Sequence, residues 1–167
     1  MSLDDHTWAF QLAWGQSQSR WELEDNINKL RPDSWRISIT QTNLNKFEIV
    51  PGLAFQLDLD ASIFHWEDPW LQRHISVVSL VPMFRSYWDF EPISFFVGLG
   101  IGIAALDREI WMDRELGSHL QFEDKAEVGV RYKSHQIAIG ISHFSNANLA
   151  DINHGVNVVQ LSYAHYF

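Results

Sequence analysis

His143 and Ser145 lie two positions apart in a segment that sets Ile137, Ile139 and Ile141 against Gln136, Ala138, Gly140 and Ser142. Alternation of this kind marks a half-buried strand, and on a strand residues i and i+2 project from one face. His143 and Ser145 therefore continue the isoleucine face. An imidazole beside a serine hydroxyl can take its proton as the oxygen attacks an ester carbonyl. Asn157 shares the parity of Val159, Leu161 and Tyr163 on the next segment, and the intervening hairpin (146–156) brings it beside the pair. Its amide oxygen can hold the imidazole tautomer but carries no charge to stabilise an imidazolium. Asp151, in the same hairpin, is the alternative orienting group. Asn146 and Ala147 follow the serine and offer a side-chain amide and backbone N–H groups as oxyanion donors. Phe122 has the same outward parity on the preceding segment. His and Ser are also ordinary neighbours at wet strand ends, so spacing alone leaves a plain surface pair open.

The strands that must carry these residues run nearly end to end through the chain. Trp8, Phe10, Leu12 and Trp14 oppose Thr7, Ala9, Gln11 and Gly15; Trp35, Ile37 and Ile39 oppose Arg36, Ser38 and Thr40; Leu53, Phe55, Leu57 and Leu59 oppose Ala54, Gln56, Asp58 and Asp60. A fourth segment sets Ile75, Val77, Val81 and Met83 against His74 and Ser76. The fifth runs Ile93, Phe95, Val97, Leu99, Ile101 and Ile103, with Ser94, Gly98, Gly100 and Gly102 mostly opposite. The sixth opposes Leu120, Phe122, Ala126, Val128, Val130 and Tyr132 to Gln121, Glu123, Lys125, Glu127 and Arg131, and the two segments bearing His143 and Asn157 complete the set. This predicts eight strands of about nine to twelve residues, the length a tilted membrane-spanning strand needs.

Charges on the polar faces (Arg36, Asp58, Asp60, Glu123, Lys125, Glu127, Arg131) exclude a dry sandwich core, where desolvation would be costly. Either the apolar face points inward in a soluble barrel, or it points to lipid and the charges pair in a narrow lumen. Three features favour the second. Trp8, Trp14, Trp35, Trp66, Trp70, Tyr87, Trp88, Tyr132, Tyr163 and Tyr166 fall near strand ends, where aromatic girdles meet the membrane interface. Gly98, Gly100 and Gly102 relieve crowding inside a small barrel. The chain alternates up to a terminal Phe167. Long polar connections at Gln16–Asp33 and Asp107–Ser118 contrast with short ones at Lys133–Ser134 and Tyr87–Glu91, the asymmetry of outer-membrane barrels. The expected fold is all-β: one domain over 1–167, an eight-stranded antiparallel transmembrane β-barrel.

Composition narrows the function classes. The 167 residues contain no cysteine, which removes disulfide frameworks and thiol nucleophiles and suits an oxidising periplasm. A net charge of −9 argues against a nucleic-acid partner. The most apolar uncharged stretch, Pro92 to Leu106, is too short and glycine-broken for a membrane helix. Met-Ser-Leu-Asp-Asp has no basic or apolar leader region, so either the protein is cytoplasmic or this is a mature chain behind a start methionine. The membrane-barrel pattern selects the mature chain, its signal peptide absent from this sequence. Eight histidines are present, but His135, His143, His154 and His165 have no metal-ligand spacing. No metal and no cofactor is expected.

Leu120-Gln-Phe122-Glu-Asp, then Ile-Ser-His143-Phe-Ser145-Asn146-Ala147 about twenty residues on, and Asn153-His-Gly155 resemble the PagL family of lipid A 3-O-deacylases. Gly98-Leu-Gly-Ile-Gly and Leu116-Gly117-Ser118 add to the likeness. It is specific from about Pro92 to Phe167, and upstream, through Phe64-His-Trp-Glu, only compatible. The resemblance implies an eight-stranded barrel of the bacterial outer membrane that hydrolyses the 3-position ester of lipid A at a site on the barrel's exterior. Lipid A or lipopolysaccharide and the surrounding outer-membrane lipids are then the partners, and a homodimer stays open. By resemblance Ser145 is the nucleophile, His143 the general base, Asn146 an oxyanion aid, Phe122 a packing residue and Asn153 a loop-shaping one. The family's acid is a glutamate where this chain has Asn157, which points to weakened activity. The alternative is a catalytically degenerate or non-enzymatic small barrel, either structural or a ligand carrier.

Overall fold

Residue alternation builds ten strands in the computed structural model, which describes residues 6–17, 33–68, 73–111 and 114–167. They are β1 (Trp8–Ser17), β2 (Ser34–Val50), β3 (Leu53–Asp68), β4 (Arg73–Phe90), β5 (Ile93–Leu106), β6 (Ile110–Trp111), β7 (Arg114–Glu115), β8 (Leu120–Tyr132), β9 (His135–Ser145) and β10 (Val156–Tyr166). Eight of them close into a barrel in the order β1-β10-β9-β8-β5-β4-β3-β2, every pair antiparallel. The eight predicted segments fall one in each barrel strand. β6 and β7 form a small hairpin within the β5–β8 connection. β2, β3 and β4, at 17, 16 and 18 residues, exceed the expected length most, and β5 and β8, at 14 and 13, exceed it slightly.

Tight connections at 51–52, 91–92 and 133–134 mark one end of the barrel, and the longer connections 107–119 and 146–155 mark the other. The predicted Gln16–Asp33 loop begins later, because β1 continues to Ser17; its stretch 18–32 lies outside the described residues, as does Trp70.

The lumen is filled rather than hollow. Arg85 donates to Glu127 Oε1 (2.7 Å), Asp58 Oδ2 (2.6 Å) and Asp60 Oδ2 (3.2 Å), and Lys125 reaches Asp60 Oδ2 at 2.8 Å. Arg36 pairs with Glu123, whose Oε1 also accepts from the Ser142 hydroxyl at 2.8 Å. These groups are all buried, and mutual pairing is what makes their burial tolerable. Toward the long connections the lumen turns apolar, with Phe64, Trp66, Ile75, Val77, Trp111, Leu116, Phe144, Val156 and Val158 in one buried cluster.

Two expectations are corrected by this lumen. The β4 face carrying Ile75, Val77, Val81 and Met83 points inward, not to lipid. Val81 and Met83 are 0% exposed, while Val78 (56%) and Phe84 (65%) form the outer wall. The reason is packing against β5, where a Cβ on Gly100 would sit 2.4 Å from Met83 Sδ and one on Gly102 2.8 Å from Val81 Cγ2. The glycine series thus makes room for β4 side chains inside the barrel. Likewise Trp66, Tyr87 and Tyr166 are buried in the lumen rather than in girdles. Trp66 shares parity with Asp58 and Asp60 and packs on Trp111 and Phe144; Tyr166 lies under the Arg131 guanidinium. Trp8, Trp14, Trp35, Trp88, Tyr132 and Tyr163 are exposed on the outside as expected.

Candidate active site

The C-terminal half of β9 carries His143 and Ser145 outward, beyond Ile137, Ile139 and Ile141. Both are half-buried. Their Cα atoms are two residues, or about 6.7 Å, apart along the strand, a gap that an imidazole and a hydroxyl on one face can close. The intervening Phe144 points inward into the apolar cluster, and Ser142 is tied to Glu123. The two inward neighbours of His143 are therefore fixed, which fixes the outward face between them.

Asn157 on β10 is the direct strand partner of His143. Its Oδ1 lies 2.7 Å from His143 Nδ1. Because an amide oxygen only accepts, Nδ1 is the donor in this contact, the tautomer whose neutral form presents its lone pair on Nε2 as a general base requires. Asp151 is exposed in the 146–155 connection, and it is Asn157 that contacts the imidazole. Gly155, at φ +57°, closes the site from that connection; a Cβ there would meet His143 Cε1 at 3.0 Å. Phe122 on β8 is the direct partner of Ser145.

Asn146 is buried, and its donors are engaged. Nδ2 donates to Leu116 O (2.9 Å) and Ile152 O (2.7 Å), and its backbone N–H donates to Asn153 Oδ1 (3.0 Å). Sequence reasoning offered this side chain to an oxyanion. In the structure it binds the 107–119 and 146–155 connections together, and the side chain of Asn153 completes the same lattice through Asn148 Oδ1 (3.2 Å). Ala147 and Asn148 follow at φ +52° and +61°. Two partners of this arrangement had no site role in the sequence reading: Gly117, noted there only for the likeness, and Arg114. Gly117 abuts Ile152 O so closely that a Cβ would overlap it at 2.0 Å. Arg114 donates to His154 O (3.3 Å) and Gly155 O (3.4 Å).

An open groove of about 630 Å³ runs from His143 across β9, β8, β5 and β4, walled by Ile141, Ala126, Leu99, Ile101 and Phe84. That volume lies in the range of small-ligand sites, but this groove faces the apolar belt, not water. Among the described residues no cluster of three or more His, Asp or Glu is placed to hold a metal ion.

A family model described as Lipid A 3-O-deacylase (PagL) matches residues 3–166. The chain belongs to the PagL family. Lipid A deacylase PagL of Bordetella bronchiseptica is 36% identical to it over 95 residues, 56% of this chain and 52% of that protein. The Pseudomonas aeruginosa protein of the same name is 33% identical over 107 residues, 62% of this chain and 61% of the relative. The chain thus spans about half to three-fifths of the length of these relatives. The crystal structure of the outer membrane enzyme PagL shares the fold, with a TM-score of 0.80, 22% identity and coverage of 94% of this chain and 98% of that one. Together with the apolar outer wall, PagL-family membership makes this an outer-membrane barrel.

Proposed function

We infer that the chain is a lipid A 3-O-deacylase in which Ser145 is the nucleophile and His143 the general base. The observation that carries this reading is the 2.7 Å contact from Asn157 Oδ1 to His143 Nδ1 on the barrel's exterior, which leaves Nε2 available on the face that also bears Ser145. Ser145 Oγ attacks the ester carbonyl at the sugar's 3-position and its proton passes to Nε2. The tetrahedral intermediate collapses by breaking the ester C–O bond, and the same proton goes to the departing sugar hydroxyl. Water, activated by His143, then hydrolyses the acyl-serine and releases a 3-hydroxy fatty acid. Backbone N–H groups following Ser145, Ala147 among them, are the oxyanion donors in this reading, since the Asn146 side chain is committed to Leu116 O and Ile152 O. Asn146 and Asn153 then act by ordering the loop, and Phe122 by packing against Ser145.

Placement supports the substrate class. A lipid already lies in the bilayer beside the outer wall, and the groove leading from His143 is lined by Ile141, Leu99, Ile101 and Phe84, a bed for an acyl chain. Asparagine in place of an acid favours reduced turnover, because replacing the acid of a Ser-His-Asp site by its amide costs roughly 10⁴ in kcat, chiefly through the wrong tautomer. Here the tautomer is held correctly, so only the charge is lost at that position. Lipopolysaccharide incubated with the protein in detergent is expected to yield free 3-hydroxy fatty acid by mass spectrometry, and Ser145→Ala to yield none. Equal release by the two proteins overturns the assignment of Ser145, and no release by either leaves the non-enzymatic barrel.

A further inference from the structure

Asp124 is out of character with the wall it stands on. It occupies the outward parity of β8 between Phe122 and Ala126 and is exposed there. Around it the wall is apolar: Leu99, Ile101, Ala126 and Ile141 share its groove. Among the described residues no hydrogen bond or ion pair reaches its carboxylate. A carboxylate facing lipid without a partner is destabilising, and no packing contact requires an acid at this position.

Its register supplies a reason. Asp124 is the direct strand partner of His143 from β8, as Asn157 is from β10. Side chains directly opposed on antiparallel strands have Cβ atoms about 4.5–5.5 Å apart. His143 is thus flanked by an amide that touches Nδ1 on one side and by the neighbouring strand's carboxylate on the other, with Gly155 over its edge. Asp124 is the charged residue in direct register with His143, while the Arg114 guanidinium on β7 is held at the other edge by His154 O and Gly155 O.

We propose that the two duties of the usual acid are divided in this chain: Asn157 fixes the imidazole tautomer, and Asp124 supplies the negative charge that stabilises the imidazolium formed when Ser145 is deprotonated. This rests on the hydrolase reading above. No proton passes to Asp124; it acts through His143 as a positioning residue. At a lipid boundary the attraction is screened far less than in water, so an opposed strand position suffices without a hydrogen bond.

The test compares Asp124→Asn, Asp124→Glu, Asn157→Glu and the double variant Asp124→Asn/Asn157→Glu, with Ser145→Ala as baseline. Each is folded in detergent and checked for heat-modifiable electrophoretic mobility. Rates of 3-hydroxy fatty acid release are measured against lipopolysaccharide concentration. Asp124→Asn is expected to lower kcat by about 10- to 100-fold with KM nearly unchanged, the mark of an interaction made in the transition state. Asp124→Glu should keep most of the rate. With Glu at position 157, Asp124→Asn should cost less than about threefold, because the charge is supplied from β10. An unchanged or faster Asp124→Asn overturns the proposal while Ser145-dependent release leaves the hydrolase reading standing. So does a rise in KM alone, which would make Asp124 a substrate contact, or an equal loss in both backgrounds, which would make it structural. Absence of Ser145-dependent release from every variant removes the hydrolase reading and this proposal with it.

Discussion

Asn157 holds the imidazole but does not charge it, and that separation predicts the effect of replacing it. Asn157→Glu keeps an oxygen acceptor opposite His143 Nδ1, at the position where the amide now lies 2.7 Å away, and adds a negative charge. Release of 3-hydroxy fatty acid is expected to rise by up to about tenfold, because charge-assisted hydrogen bonds are the stronger kind while the tautomer is already correct. A fall in rate would mean that glutamate cannot take the amide's place. Gly155→Ala goes the other way. Its Cβ would press on His143 Cε1 at 3.0 Å from a backbone at φ +57°, and displacing a catalytic group by a fraction of an ångström to one ångström costs up to about 10²-fold. A kcat loss of that order is expected in a protein that still folds. At this scale the sequence was informative where parity alone decides. His143, Ser145, Asn157 and Phe122 all sit where alternation puts them. Asp124 shares that parity too and could have been singled out as an acid between Phe122 and Ala126. Asn146 was not legible, because the direction of its amide depends on Leu116 and Ile152, residues 30 positions away and 6 positions away that only the folded loops bring together.

The strand β4 shows what alternation can and cannot decide. Both of its faces are apolar, Ile75, Val77, Val81 and Met83 on one and Val78, Leu80, Pro82 and Phe84 on the other, so hydrophobicity gives no direction. Arg85 does: it shares parity with Val81 and Met83, and a guanidinium toward mid-bilayer lipid is far costlier than one in a lumen with three carboxylates. The strands β1, β2, β3, β5, β8, β9 and β10 oriented themselves from their own pattern because one face of each carries polar or small residues. Arg85→Met tests the inward assignment. It leaves Asp58, Asp60 and Glu127 without their shared guanidinium, and breaking a buried ion network from one side costs about 3–5 kcal/mol. Urea unfolding of the protein in lipid vesicles should show a loss of that size, whereas Phe84→Leu on the outer wall should stay within about 1 kcal/mol. Similar small losses from both would place Arg85 outside the lumen.

At the scale of the whole molecule the lumen is filled by paired charges and apolar side chains. In the ion network Arg36, Arg85 and Lys125 face Asp58, Asp60, Glu123 and Glu127, with Arg131 buried further along; among the described residues Asp33 is the further buried acid, held by Ser17. The ion network fills the middle of the barrel, and Phe64, Trp66, Trp111, Leu116 and Phe144 fill the end beneath the long connections. An eight-stranded barrel has an interior only wide enough for side chains, and here both layers are occupied. On the proposed function the chemistry is then on the outside, where the wall from Phe84 to Ile141 meets lipid and the candidate site stands at its upper edge. Two consequences follow for the intact protein. It should fold only with detergent or lipid present, since the belt exposes Phe84, Leu99, Ile101, Ile139 and Leu161 at once and a patch of that extent drives association in water. Reconstituted in a planar bilayer it should add no steady conductance, because buried side chains fill the lumen at the level of Arg85 and of Trp66. A stable, folded monomer in detergent-free buffer would overturn the lipid-facing assignment of the wall, and a reproducible open channel would overturn the closed lumen.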